Sequence, residues 1–243
     1  MESLKELYTQ HSGRLLNKWE HYLTVYDKYF SPYKNKDLTL LEFGIAHGGS
    51  LELWRNYFGS EAKIIGVDVN PECKKFEEKN TTVYIGSQED RAFLSELKTK
   101  IPPVDILIDD GGHTMQQQLI TFEMLFDHVK DGGLYICEDT HTSYWKNYYG
   151  GYKKKGTFIE FSKNFIDDLH GWHFKKNNQP HINNITKNVF GVHFYDSMVI
   201  LEKQNMNPPV NTFKGNETLT KHFTGFGQKT SFLKKIKSKI KSK

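Results

Sequence analysis

Cysteine, arginine and long apolar runs are what this sequence is short of. Its 243 residues include two cysteines, Cys73 and Cys137. They are too few for a disulfide framework, so a reduced, cytoplasmic protein is expected. Only Arg14, Arg55 and Arg91 are arginines among 33 basic residues. Reading bases in a groove leans on bidentate arginine, so a nucleic-acid partner is not expected. No apolar run approaches the ~18 residues of a membrane-spanning helix, and Met1-Glu2-Ser3-Leu4-Lys5-Glu6 does not read as a secretory signal. What is present is ordinary for a globule: 37% hydrophobic and 26% charged residues exclude a disordered chain. The length suits one large α/β domain or two small ones. Charge is uneven, because residues 229–243 hold seven lysines and no acid, leaving the preceding body slightly acidic within a total of +4.

Leu16, Trp19, Leu23, Tyr26 and Phe30 recur at spacings of three and four, predicting one helical face that ends at Ser31-Pro32. Its aromatics suit core packing, or alternatively a flap over a ligand. After it, apolar runs alternate with helical patterns. Strands are expected at Leu38–Phe43, Lys63–Val69, Thr82–Ile85, Val104–Asp109 and Gly133–Cys137. Helices are expected over Ser50–Phe58, a charged stretch before Thr82, Glu89–Thr99, and a run carrying Met115, Leu119, Phe122, Phe126 and Val129. Such alternation predicts a doubly wound parallel sheet with helices on both faces. Val189–Tyr195 and Ser197–Glu202 are too close for a crossover and must form an antiparallel hairpin. The expected organisation is an N-terminal helical segment over 1–37, packed on an α/β domain over 38–203, and a C-terminal extension over 204–243 with the basic tail.

In open α/β sheets, ligands collect beyond the carboxyl ends of the strands. The first strand runs into Gly44-Ile45-Ala46-His47-Gly48-Gly49-Ser50. Glycines there let backbone approach a ligand, and a helix start offers N–H groups to an anion. The dinucleotide fingerprint would want glycine where Ala46 stands. The second strand ends at Asp68, 24 residues on from Gly44, placed to accept hydrogen bonds from ribose hydroxyls; a helix cap is the alternative. After the third strand, Ser87 and Gln88 are suited to edge an adenine ring, or Ser87 caps the next helix.

The fourth strand ends in Asp109-Asp110-Gly111-Gly112-His113 and the fifth in Glu138-Asp139. If these strands are neighbours, Asp110, Glu138 and Asp139 converge, with Asp109 close behind. Crowded carboxylates repel unless a cation or raised pKa values neutralise them. Oxygen ligands without a cysteine cluster favour Mg²⁺, with Mn²⁺ or Ca²⁺ as alternatives. His113, beside such an ion, is suited to take a proton from a hydroxyl. A surface turn and helix caps are the plainer reading of the same residues.

Leu41-Glu42-Phe43-Gly44-Ile45-Ala46-His47-Gly48-Gly49-Ser50, followed by Trp54-Arg55-Asn56-Tyr57-Phe58, resembles the first motif of the S-adenosylmethionine-dependent sugar O-methyltransferases, nearest the macrolide deoxysugar branch. Ile108-Asp109-Asp110-Gly111-Gly112-His113 resembles their metal-and-base motif, with Gly112 where serine is common. Tyr135-Ile136-Cys137-Glu138-Asp139-Thr140 and Ser143-Tyr144-Trp145 resemble the second metal motif and the acceptor loop. Asn17–Tyr22 with Tyr26-Asp27 is similar to a segment preceding the core. The resemblance spans roughly residues 15–202, without the extra N-terminal domain of the macrolide enzymes.

It implies a Rossmann-like methyltransferase sheet, five parallel strands plus a C-terminal hairpin, with S-adenosyl-L-methionine and Mg²⁺ as cofactors. Asp110, Glu138 and Asp139 would be the metal ligands and His113 the general base. Glu42, Gly44, Ala46, His47, Gly48 and Ser50 would border the methionine end of the cofactor. Asp68 would hold its ribose, Ser87 and Gln88 its adenine, and Asp109 would contact it or support the ion. Tyr144, Trp145, Tyr149 and Tyr152 are the candidate acceptor contacts. The expected acceptor is a sugar, first a nucleotide-activated sugar of a capsule or surface-glycan pathway. A phosphate-type capsule group or a phenol is the alternative.

Two further readings stand beside this one: a nicotinamide oxidoreductase, and a non-catalytic membrane-surface protein. The second rests on Phe232, Ile236 and Ile240, spaced by four among lysines, which would make a basic amphipathic helix. Peripheral contact with the inner membrane and a homo-oligomer are the remaining expectations.

Overall fold

A computed structural model of the chain describes residues 2–174, 182–216 and 218. In chain order the elements are α1 (Leu4–Gln10), α2 (Glu20–Phe30), β1 (Thr39–Phe43), α3 (Gly49–Phe58), β2 (Lys63–Asp68), β3 (Thr81–Ile85), α4 (Arg91–Lys100), β4 (Val104–Asp109), α5 (Met115–Leu125), β5 (Val129–Cys137), α6 (Phe158–Ser162), α7 (Asn164–Leu169), α8 (Asn184–Asn188), β6 (Val189–Tyr195) and β7 (Met198–Lys203). The strands form one sheet in the order β3-β2-β1-β4-β5-β7-β6. β1 to β5 are parallel, and β7 adds antiparallel to β5 with β6 outside it. The predicted five parallel strands and terminal hairpin are therefore all present.

Strand side chains alternate between faces, and the apolar runs divide accordingly into two cores. Leu40, Ile64, Ile106, Ile136 and Ile200 pack with Tyr22, Tyr26 and Phe30 of α2 and Trp54 and Phe58 of α3. Leu41, Ile65, Leu107, Tyr135 and Val199 pack on the opposite side with Leu94, Phe122, Phe158 and Phe165. Continuous apolar strands make sense only with both faces covered, which is the condition of a parallel sheet.

Three local expectations need correction. The helix predicted from Leu16 begins at Glu20, because Trp19 is extended (φ −62°, ψ 130°) and serves as its N-cap without a side-chain bond. Leu23, Tyr26 and Phe30 are core, whereas Trp19 is 54% exposed; the same apparent stripe thus contributes to two environments. The charged stretch before β3 forms a short 3₁₀ helix, Pro71–Phe76, and not an α-helix. β5 starts at Val129, four residues earlier than predicted, where a register shift between Val104 and Ile106 and Gly132 at φ 82° carry it through a polar stretch.

The chain divides into two units, Met1–Pro208 and Pro209–Lys243. The first carries every element named above. In the second, the described residues 209–216 and 218 are exposed and without regular structure. The basic run 229–243, with Phe232, Ile236 and Ile240, lies outside the described residues. Among those described, no helix is long and apolar enough to cross a membrane.

Candidate active site

The strand order turns back on itself between β1 and β4, so the loops leaving these two strands diverge. That is where ligands bind in open α/β sheets. A cavity of about 820 Å³ opens there, reached by the ends of β1 to β5 and by residues 17–20.

Its β1–β3 side is built largely from backbone. Gly44 (φ 83°), Ala46 (φ 44°) and Gly48 (φ 76°) turn the loop tightly. A Cβ at Gly44 would stand 2.1 Å from the Asp110 carbonyl oxygen, so only glycine fits. Asp68 accepts from the Ala46 amide on one oxygen and the Asn70 amide on the other, each at 2.9 Å. It therefore ties the loop together while lining the cavity. Gln88 donates to Asp109 Oδ1 (2.7 Å) and Thr121, and its carbonyl oxygen accepts from the Gly112 amide (2.9 Å).

The β4–β5 side is built from ionisable side chains. Asp109↔Cys137 is the last pair of the ladder, which places the following residues, Asp110 and Glu138, side by side. Asp110, His113 and Asp139 each offer a ligand atom, all within 4.8 Å of one another. His113 (φ 54°) and Asp139 (φ 52°) both hold left-handed backbone, a strain that persists only where surrounding structure imposes it. His113 Nε2 lies 3.5 Å from Asp139 Oδ2, and its carbonyl accepts from Thr142 Oγ1 at 2.8 Å. Tyr22 donates to Asp139 Oδ1 at 2.8 Å. His113 Nδ1 and Asp109 Oδ2 are buried without a hydrogen-bond partner.

Burial raises the Asp110 carboxyl to about 7 despite the neighbouring Lys18. Glu138 is pushed up to about 8 by burial and then by the Asp110 charge. Burial lowers the His113 imidazole, keeping it neutral near physiological pH. Burial also raises Asp109.

Of the residues predicted from sequence, Gly44, Ala46, Asp68, Gln88, Asp110, His113, Glu138, Asp139 and Trp145 line this cavity. Others do not. Glu42 is buried behind it, accepting from Ser50 Oγ at 2.7 Å, and Asp109 is likewise fully buried. His47 is exposed, Gly48 abuts the Phe76 ring, and Ser87 accepts from the Glu89 amide in the turn before α4, whose N-cap is Asp90 and not Ser87. Tyr144, Tyr149 and Tyr152 are exposed outside the cavity wall.

The sequence reading did not place several residues of the wall among its site residues. Trp19, His141 and Tyr148 supply its aromatic part: Trp19 meets His141 edge-on at 6.1 Å, and His141 meets Trp145 at 4.4 Å. It also missed Lys18, whose ammonium lies 2.5 Å from Asp110 Oδ2, 2.6 Å from Glu138 Oε1 and 3.6 Å from Glu42 Oε1. Burial opposes this charge, but the three carboxylates outweigh it and hold the lysine protonated well above its usual range. Its sequence signal was membership of the Asn17–Tyr22 segment, in which nothing marked it as a site residue.

The donor set suits a small hard cation: two carboxylates at one point, a third beside them, and an unpaired imidazole nitrogen. The glycine loop and Asp68 suit a ribose-bearing ligand on the other side.

No family model matches the chain. It is 34% identical over 206 residues to the demethylmacrocin O-methyltransferase of Streptomyces fradiae, covering 79% of this chain and 51% of that protein. It is 32% identical over 198 residues to the 8-demethyl-8-alpha-L-rhamnosyl tetracenomycin-C 2'-O-methyltransferase of Streptomyces olivaceus, covering 77% of this chain and 52% of that one. The fold superposes on the MycE methyltransferase of the mycinamycin pathway, solved with Mg, SAH and mycinamycin VI. The TM-score is 0.75 at 28% identity, over 84% of this chain and 54% of that chain. Over most of its length the chain is thus similar to sugar O-methyltransferases of antibiotic pathways. It spans about half the length of the curated relatives it matches.

Proposed function

We propose that the chain is an S-adenosylmethionine-dependent O-methyltransferase acting on a sugar hydroxyl, with Mg²⁺ held by Asp110, Glu138 and Asp139. The observation that carries this reading is the meeting of Asp110, His113 and Asp139 at one point of a cavity whose other side is the Gly44 loop and Asp68. The relatives' names and MycE's bound Mg and SAH support it.

In this reading the chain's own residues perform three tasks. Asp68 and the Gly44–Ser50 loop orient the cofactor, and Gln88 borders its adenine. Asp109 lies behind Gln88 as a support. Mg²⁺, when bound, supplies a positive charge that lowers the pKa of the acceptor hydroxyl. His113, neutral and desolvated, would take the hydroxyl proton as the oxygen bonds the methyl carbon and the methyl–sulfur bond breaks, its electron pair leaving on the neutral thioether of S-adenosylhomocysteine. Trp145, with Trp19, His141 and Tyr148, offers aromatic faces to a sugar ring.

For the acceptor we favour a nucleotide-activated sugar of a surface-glycan pathway. Lys154 and Lys155 line a second depression that shares Gln117 with the main cavity and also holds the Arg91–Glu123 ion pair, and lysines suit a diphosphate. The test is transfer of labelled methyl from S-adenosylmethionine to a panel of nucleotide sugars, with Mg²⁺ or with EDTA. Transfer that requires Mg²⁺ is the expected result. Transfer unaffected by EDTA contradicts the metal assignment, and transfer only to lipid-linked, phosphate or phenolic acceptors contradicts the acceptor class.

A further inference from the structure

Lys18 is an unusual group to find at a metal site. Its side chain is 2% exposed, and its ammonium sits among carboxylates that the proposed function assigns to a divalent ion. A buried ammonium is costly unless paired, and here the pairing is specific. It donates to one oxygen of Asp110 (Oδ2) and to one oxygen of Glu138 (Oε1). Tyr26, buried on α2, donates to the same Glu138 Oε1. Asp110, Glu138 and Lys18 all line the cavity, and each of the two carboxylates has one oxygen held by the ammonium.

The lysine is held in turn. Its ammonium lies 6.0 Å from the centre of the Tyr26 ring and 5.9 Å from that of Trp54. The preceding backbone is anchored where Gly49 lets Arg14 and Leu15 approach: a Cβ at Gly49 would stand 2.5 Å and 2.4 Å from their carbonyl oxygens. Arg14 Nε donates to Glu52 at 2.6 Å.

We propose that Lys18 is a positioning residue that makes Asp110 and Glu138 one-oxygen ligands and thereby selects a small divalent ion over a large one. This inference rests on the metal reading given above. The physical reason lies in coordination preference. Mg²⁺ is satisfied by few carboxylates, each giving one oxygen at about 2.0–2.1 Å, whereas Ca²⁺ gains from additional and bidentate oxygens at about 2.3–2.6 Å. An ammonium bonded to the second oxygen denies that bidentate mode. Partners of ligating carboxylates tune metal sites in this way.

The test is calorimetric titration of the full chain with Mg²⁺ alone and with Ca²⁺ alone, for the parent, Lys18→Gln and Tyr26→Phe, each checked for fold by circular dichroism. The expected result is a Ca²⁺-over-Mg²⁺ affinity ratio roughly tenfold higher in Lys18→Gln than in the parent, the scale on which such outer partners act. A smaller shift in the same direction is expected in Tyr26→Phe. A purely structural lysine would weaken both ions together and leave the ratio unchanged. A ratio in Lys18→Gln within about twofold of the parent overturns the inference while leaving the metal site standing; this threshold is well below the tenfold scale of such effects. If Lys18→Gln does not fold, Tyr26→Phe decides by the same criterion. A parent that binds neither ion overturns the metal reading and the inference with it.

Discussion

The two sides of the cavity are made of different materials. Beyond β1–β3 the wall is turned backbone: Gly44, Ala46 and Gly48 with left-handed geometry, and one carboxylate, Asp68, whose oxygens are taken by amides. Beyond β4 and β5 it is a cluster of carboxylates around a buried ammonium, with an imidazole at its rim. A backbone-built wall holds its shape whatever the solution conditions. A charge-built wall has a state that depends on protons and ions. The contrast fits the division of labour proposed here, with the first side gripping a cofactor and the second doing the proton and metal chemistry.

Perturbing the charge-built side is expected to have the largest effect. Asp110→Asn removes the ligand's negative charge and leaves Lys18 only a neutral amide oxygen in place of a carboxylate. Mg²⁺-dependent turnover should be lost and Mg²⁺ binding by calorimetry should vanish, with cofactor binding retained. Next comes His113→Ala, which should lower kcat by about 10²–10⁴-fold, the usual worth of a general base, with S-adenosylmethionine affinity unchanged. Full kcat in this variant would remove His113 from that role.

Protons should act on the same side. Asp110 at about 7 and Glu138 at about 8 are both raised above ordinary carboxylates, so the folded, metal-free chain holds protons that the unfolded chain has released. Their contribution to stability is present at low pH and lost as pH rises through 7–8. Tm of the metal-free chain should therefore fall between pH 6 and pH 9. Mg²⁺ affinity should rise over the same window, because binding must displace those protons. A Tm independent of pH there would mean that the cluster is neutralised in some other way.

The smallest effect is expected on the backbone-built side. Asp68→Asn keeps a side chain that can still accept from the Ala46 amide but loses the charge. Cofactor affinity should drop by roughly 10–100-fold, the scale of a charged hydrogen bond, with kcat at saturation little changed. A kcat loss as large as that of His113→Ala would erase the proposed division between the two sides.

The same contrast explains what the sequence made legible. Asp68 closes β2, and Gly44, Asp110 and Glu138 follow directly on strand ends; strand ends are marked by where an apolar run stops. Any residue there is placed by topology alone, so the convergence of Asp110 with Glu138 could be anticipated from adjacent strands. Lys18 could not. Its partners lie 92 and 120 residues away, and it sits in an extended stretch with no periodic signal of its own. Trp19 was hidden differently, since its spacing to Leu23 and Tyr26 imitates a helical face that does not begin until Glu20. The aromatic residues Tyr144, Tyr149 and Tyr152 were attractive by type, but the 3₁₀ turns over Thr140–Tyr144 and Lys146–Tyr148 bring Trp145 and Tyr148 to the cavity wall instead. Elements that run with the sheet were readable; those that cross over its edge were set by contacts distant in sequence.

The charge-built wall matters most if it is a metal site that the chemistry depends on. Calorimetric titration of Mg²⁺ into the full chain and into Asp110→Asn, in the presence of S-adenosylhomocysteine, addresses this most directly. One ion bound by the parent and none by the variant is the predicted result. Equal binding by both, or binding by neither, would contradict it.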